Sequence, residues 1–193
     1  MSTLAAVATT AEVLAHPELD ESVLHDWERR RLAAVRVPAR RDDVVAARLL
    51  LRLCAARATG EPPGRHALVQ FCPDCRRAGH GRPALRNRPD IGVSMSHADG
   101  LVAAAAGPGA VGIDVEPAGR RPRAAAVLRR MLPEAADGDP LAAWVRREAR
   151  LKAGRPDGPV RVWTDAGRDA TAAVACDGPV RCLPDFTAPV GRQ

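Results

Sequence analysis

Two short stretches hold residues that could do chemistry together. "VGIDVE" at 111–116 sets Asp114 and Glu116 two residues apart, and "WVRREARLKAG" at 144–154 sets Glu148 and Lys152 four apart. In a strand, Gly112, Asp114 and Glu116 share one face, and Val111, Ile113 and Val115 share the other. Two carboxylates that close repel, and a divalent cation relieves the repulsion. Oxygen donors without thiolate or imidazole suit Mg²⁺, which also takes phosphate oxygens and keeps some of its waters. Gly112 beside the carboxylates predicts room for a ligand.

On a helical wheel turning about 100° per residue, Leu141, Trp144, Val145 and Leu151 define the apolar face of 141–153. Arg146, Arg147 and Arg150 fall opposite. Glu148 and Lys152 land within the apolar face, one turn apart and adjacent. A charge there is costly unless it is paired or bound to a metal. Lys152 is the only lysine in a chain with 29 basic residues. A plain Glu–Lys pair at the core edge is one account, but arginine would serve such a pair equally well. Lysine differs as a compact point charge that can contact phosphate or donate a proton. "SMSHADG" adds Ser94 and Ser96 on one strand face and His97 at a turn, a setting for phosphate contacts.

These groups need elements to position them. Asp20 is a cap for a helix carrying Val23, Leu24, Trp27 and Leu32, and Asp42 or Asp43 for a second helix that Gly60 closes. The Gly-, Pro- and Arg-rich run 61–90 reads as loop with one strand at Ala67–Phe71. From Ile91, "IGVSMS", "LVAAAA" and "VGIDVE" predict an antiparallel meander turning at "HADG" and "GPGA". A short helix around Ala124–Met131 and the helix Leu141–Ala153 follow. The tail holds three short strands, "VRVWTD", "TAAVAC" and "VRCL". The fold class is α+β, with two halves of helix plus small antiparallel sheet, 1–109 and 110–193.

Composition sets the bounds. With 193 residues, 46% of them hydrophobic, the chain is long enough to build one globular core. No apolar run is long enough to span a membrane, and the longest, "LVAAAAG", is strand-sized. The N-terminus lacks basic residues ahead of its mildly apolar stretch, so no secretory signal is expected. Five cysteines without a regular framework suit a reducing cytoplasm. "CPDC" at 72–75 has His80 nearby but lacks a second cysteine pair, and reads as a reduced loop rather than a structural zinc site. The net charge of +6 favours polyanionic ligands. A nucleic-acid-binding protein would cluster arginines among aromatics, but here the arginines are scattered and aromatics are scarce.

In order, "SMSHADGLVAAAA", "VGIDVE" and "WVRREARLKAG" resemble the motif set of 4′-phosphopantetheinyl transferases. That set runs S-x-S-H with a following glycine, then G-x-D-x-E, then W-x-x-K-E-A-x-x-K. The match covers roughly Gly79–Gly154, and the larger, monomeric type that modifies synthase carrier domains is the closer likeness. "GHGRPAL" and "RRDDVVAARLLLR" are similar to the family's G-K/R-P segment and basic helix. The resemblance implies a Mg²⁺-dependent transferase with its site between two pseudo-symmetric halves. It would move the phosphopantetheine arm of coenzyme A onto a serine of an apo acyl or peptidyl carrier protein, releasing adenosine 3′,5′-bisphosphate. Fatty acid, polyketide and nonribosomal peptide synthases all use such carriers. By motif position Asp114, Glu116 and Glu148 would hold the metal. Glu148 would take the serine proton, and Lys152 would meet the pyrophosphate. Ser96 and His97 would meet the coenzyme A phosphates, and Arg82 would lie near the adenine. Arg41 and Arg48 both fit the phosphate-binding arginine of the basic helix. Arg147 stands where the family commonly has lysine, and the link between Glu116 and Trp144 is shorter than the family's. The other reading on this fold is a carrier-binding relative that has lost catalysis.

Overall fold

The computed structural model describes residues 1–72, 74–119, 122–132 and 138–183. The link between Glu116 and Trp144 thus falls partly outside the described residues. Within them the protein is a mixed α+β fold of five α-helices and several small sheets.

The first sheet runs β4 (Ile91–Ala98), β5 (Leu101–Pro108), β1 (Thr3–Thr9) and β9 (Val180–Cys182) across its width. β4 and β1 flank β5 antiparallel, and β9 joins β1 in parallel. A second sheet has β6 (Gly112–Pro117), β8 (Ala170–Ala175) and β7 (Val160–Asp165), all antiparallel. A hairpin of β2 (Leu68–Phe71) and β3 (Arg82–Leu85) stands apart from both. The helices are α1 (Thr10–Leu14), α2 (Asp26–Ala33), α3 (Pro38–Thr59), α4 (Pro122–Met131) and α5 (Pro140–Ala153).

Side-chain alternation stacks these elements. Val102, Ala104 and Ala106 of β5 face α3, where Val45, Leu49, Leu50 and Leu53 are buried. Leu101, Ala103 and Ala105 face the second sheet and meet Ile113, Val115, Ala172 and Val174. On the far side of that sheet, Ala173 and Ala175 meet Val145, Ala149 and Ala153 of α5. The order is helix, sheet, sheet, helix. A strand covered on both faces has no reason to alternate, which accounts for "LVAAAA".

Several sequence expectations are corrected. The run from Ile91 is a hairpin and a departing strand, not a three-stranded meander. β4 and β1 fill both edges of β5, so β6 has no slot beside it and pairs with β8 instead. "TLAAVAT", part of the mildly apolar N-terminal stretch for which no element is predicted, is the strand that fills the second edge. α3 starts at Pro38, not after Asp42 or Asp43. Proline suits the first helical position because its missing N–H has no partner to lose there. Asp20 caps only a single 3₁₀ turn, and α2 begins at Asp26. Leu151 is 48% exposed, so the buried stripe of α5 is Leu141, Val145, Ala149 and Ala153 with Ala143.

Candidate functional site

α5 is set down firmly on the second sheet. The Asp139 carboxylate accepts from Leu141 N (2.9 Å) at its start, and Gly154, at φ 71°, ends it. Gly112 marks the point of closest approach. A Cβ there would collide with the backbone of Ala149 and Ala153. The glycine beside the carboxylates therefore makes room for the helix, not for a ligand as its position suggested.

This contact brings Asp114 and Glu116 of β6 under the row Trp144, Glu148, Lys152 of α5. Both carboxylates are buried. Trp144 Nε1 donates to Glu116 Oε1 (3.0 Å). Lys152 Nζ donates to Asp114 Oδ1 (2.7 Å) and to Ser96 Oγ (2.9 Å), and Ser96 Oγ donates to the same Asp114 oxygen (2.7 Å). Lys152 therefore spans to the neighbouring sheets; the bond it makes is not the one to Glu148 that the wheel pattern suggests. Ser94 Oγ accepts from Ile113 N (3.0 Å), so β4 and β6 are joined by side chains at their adjoining edges.

Two observations bear on a cation. Asp114 Oδ2 is buried without a hydrogen-bond partner. The Glu148 carboxyl is raised above its ordinary value, first by burial and then by the Asp114 charge, with Lys152 and Arg147 acting in the other direction. An orphaned carboxylate oxygen beside a second carboxylate that resists ionising is a donor set fit for a hard divalent ion.

On the other face of β4, His97 and Met95 look toward α3. A pocket of about 600 Å³ there is lined by Arg31, Arg36, Arg40, Arg48, His80 and His97 among others. Desolvation holds His97 below its usual value; the nearby Asp43 opposes this, while Lys152, Arg40 and Arg48 add to it. Beneath the pocket, Glu28 of α2 is wholly buried between Arg48 (2.9 Å) and Arg52. Arg48 also lies over the Trp27 ring, 5.1 Å from its centroid, and donates to Gln70 Oε1 (3.1 Å). Two guanidinium groups on one carboxylate leave an excess positive charge in a site already rich in arginine. Such a pocket suits a phosphate group.

A second pocket, about 500 Å³, is lined by Ser94, Lys152, Arg82 and Cys72 among others. It shares Gln70, Gly81 and Met95 with the first. The two together could take a ligand longer than either alone.

The sequence-predicted residues thus divide into groups. Ser96, Asp114 and Lys152 form one network, with Glu116 and Glu148 beside it. His97 and Arg48 line the arginine pocket. Arg41 is spent on Glu21 in a two-bond pair (2.7 and 3.0 Å) and does not line the pocket. Arg82 lines the second pocket while donating to Leu151 O (3.1 Å) at the end of α5. Sequence reading missed Arg40, which takes the place beside Arg48, and missed the buried Glu28. Arg40, Val44, Ala47 and Arg48 share one helical face, a signal that was present once α3 is started at Pro38.

No family model matches the chain, and no curated protein matches it in sequence.

Proposed function

We propose that the protein transfers the 4′-phosphopantetheine arm of coenzyme A to a serine hydroxyl of an apo acyl or peptidyl carrier protein. The observation that carries this reading is the network of Ser96, Asp114 and Lys152 beside Glu148. It combines an orphaned carboxylate oxygen, a compact cation and a carboxyl group of raised proton affinity. In this reading 1–109 and 110–193 are two related halves and the substrates lie in a cleft between them. The arginine pocket, with His97, holds the 3′-phosphate end, and the second pocket holds the pyrophosphate near Lys152. Asp114, Glu116 and Glu148 would hold Mg²⁺, which when bound neutralises pyrophosphate charge.

The chain's own groups then divide the work. Glu148 accepts the proton of the carrier serine, whose oxygen bonds to the phosphorus of the arm. The bond from that phosphorus to the bridging oxygen breaks, and adenosine 3′,5′-bisphosphate leaves. Lys152 stabilises the charge that develops on the leaving phosphate. Burial and the neighbouring Asp114 charge raise the basicity that Glu148 needs for this role.

The test is to incubate fatty acid, polyketide and nonribosomal peptide carriers in apo form with coenzyme A, Mg²⁺ and the protein. Intact-mass spectrometry should show the mass of one phosphopantetheine arm added to at least one carrier. No addition to any carrier by a folded protein overturns the reading. One observation favours a second reading, a carrier-binding relative without catalysis: Lys152 pairs directly with Asp114 Oδ1 (2.7 Å), so the chain itself balances that carboxylate's charge. That relative would bind carriers in the same experiment and leave their mass unchanged.

A further inference from the structure

Between β2 and β3 the chain makes a tight knuckle. Arg76 N donates to Cys72 O (2.9 Å), and Cys72 N donates to Arg77 O (3.0 Å). Arg76 takes a positive φ of 55°, a conformation that is uncommon for a side chain of its kind. The turn sets the thiols of Cys72 and Cys75 close together. His80 then returns to them on the segment that leads into β3, its Nε2 3.0 Å from Cys75 Sγ. The two sulfurs and the imidazole nitrogen all lie within 4.8 Å of one another.

His80 is held there from both sides. Gly79 O accepts from Arg31 (2.6 Å), and Gly81 O accepts from Gln70 Nε2 (2.9 Å). Gly81 has φ 92°, and a Cβ on it would strike the backbone of Phe71 and Cys72. Only glycine lets the return strand pass this near the cysteines. The base of the hairpin is anchored, with Leu68 and Leu85 buried in the main core. Its outer end is not: Phe71 is 53% exposed and Cys75 is exposed. A metal cross-link would fix that end, where no core reaches.

From this we propose that Cys72, Cys75 and His80 bind one Zn²⁺ ion. Two thiolates and one imidazole suit zinc and do not suit Mg²⁺ or Ca²⁺, which take oxygen donors. Three protein donors leave the fourth corner of the tetrahedron to water, on the exposed side of the loop. The two thiolates balance the ion's charge, and their protons leave on binding. The expected absence of a zinc site rested on the lack of a second cysteine pair; the fold brings the nearby His80 within reach of both thiols, and three donors with a water complete the site. The ion would fix a wall common to both pockets, since Gln70 and Gly81 line each.

The site does not depend on the transferase reading, and its test reads metal alone. Protein made in a reducing cytosol with zinc supplied should carry one zinc per chain by elemental analysis. Cys72→Ser/Cys75→Ser should carry none, and Cys176→Ser/Cys182→Ser should keep it. If the first double variant folds poorly by circular dichroism, the wild-type protein decides instead. After exchange with Co²⁺ it should show thiolate-to-cobalt charge-transfer absorption and the visible bands of a tetrahedral site. Protein that binds no zinc on titration, a folded Cys72→Ser/Cys75→Ser variant that keeps it in full, or a Cys72–Cys75 disulfide in freshly purified protein would each overturn the proposal.

Discussion

Removing the charge of Lys152 separates its structural role from its chemical one. The Lys152–Asp114 bond is 2.7 Å long, with Asp114 7% exposed and Lys152 30% exposed. Breaking a fully buried ion pair from one side costs about 3–5 kcal/mol, and an exposed pair contributes about 0–1 kcal/mol. This pair lies between those cases, because solvent reaches the lysine. Lys152→Met should therefore destabilise the protein by about 2 kcal/mol, since it leaves Asp114 buried with only the Ser96 hydroxyl. In a chain of this size that lowers the melting temperature by roughly 4–8 °C. Asp114→Asn together with Lys152→Met removes both charges, and the double-mutant cycle should return about 1–2 kcal/mol of coupling. Lys152→Arg keeps the charge and pairs with carboxylates, so its stability should stay close to wild type. Its turnover should still fall about tenfold or more, because a planar guanidinium cannot sit as a compact charge against a leaving phosphate. The measurements are thermal and urea unfolding of the wild type, Lys152→Met, Asp114→Asn, their double variant and Lys152→Arg, and initial rates of carrier modification for Lys152→Arg. A Lys152→Met variant as stable as wild type would refute the buried pair. A Lys152→Arg variant of normal rate would reduce the lysine to a counter-ion for Asp114.

Three further outcomes are expected. Because burial and Asp114 raise Glu148, its charge is a burden on the folded state. The penalty is absent below its ordinary value of 4.5 and is complete only above the raised one. In chelator, Glu148→Gln should therefore melt above wild type at pH 7, with the gain fading as pH falls toward 4.5, while losing transfer. A Gln variant that melts below wild type at pH 7 would refute this. Glu28→Gln should cost about 3–5 kcal/mol in urea unfolding, because Arg48 and Arg52 then have no counter-charge in the core. A loss below about 1 kcal/mol would contradict the buried triad. Arg168 holds the Glu12 carboxyl down to about 2 by hydrogen bonding. That stability is complete above 4.5 and is lost as pH falls from there to about 2, so Glu12→Gln should flatten the acid limb of the stability profile over this window. An unchanged limb would show that the pair contributes nothing.

What could be read from sequence followed from local periodicity. The alternation of "VGIDVE" does put Ile113 and Val115 in the core between the sheets and Asp114 and Glu116 under α5. The spacing of α5 does set Glu148 and Lys152 beside them, and Gly60 does end its helix. Long-range pairing was not legible. Nothing in "TLAAVAT" says that it will take the second edge of β5, and without that fact "VGIDVE" looks like the third strand of a meander. The purpose of Gly112 was hidden for the same reason, because the backbone that crowds it comes from α5, nearly forty residues away. Arg41 came from the likeness to the family's basic helix, not from helix geometry. With α3 started after Asp42 or Asp43, neither Arg40 nor Arg41 counts as helical, so the face that Arg40 shares with Arg48 was not drawn. The "CPDC" loop shows the limit most clearly. A ligand count along the chain finds two cysteines and a nearby histidine and misses a second cysteine pair, whereas Gly79 and Gly81, each at positive φ, fold the segment before β3 so that His80 comes within reach of both thiols. Both candidate sites in this chain are therefore made by backbone that glycine allows to come close: α5 over Gly112 for the carboxylates, and the return strand at Gly81 for the thiols.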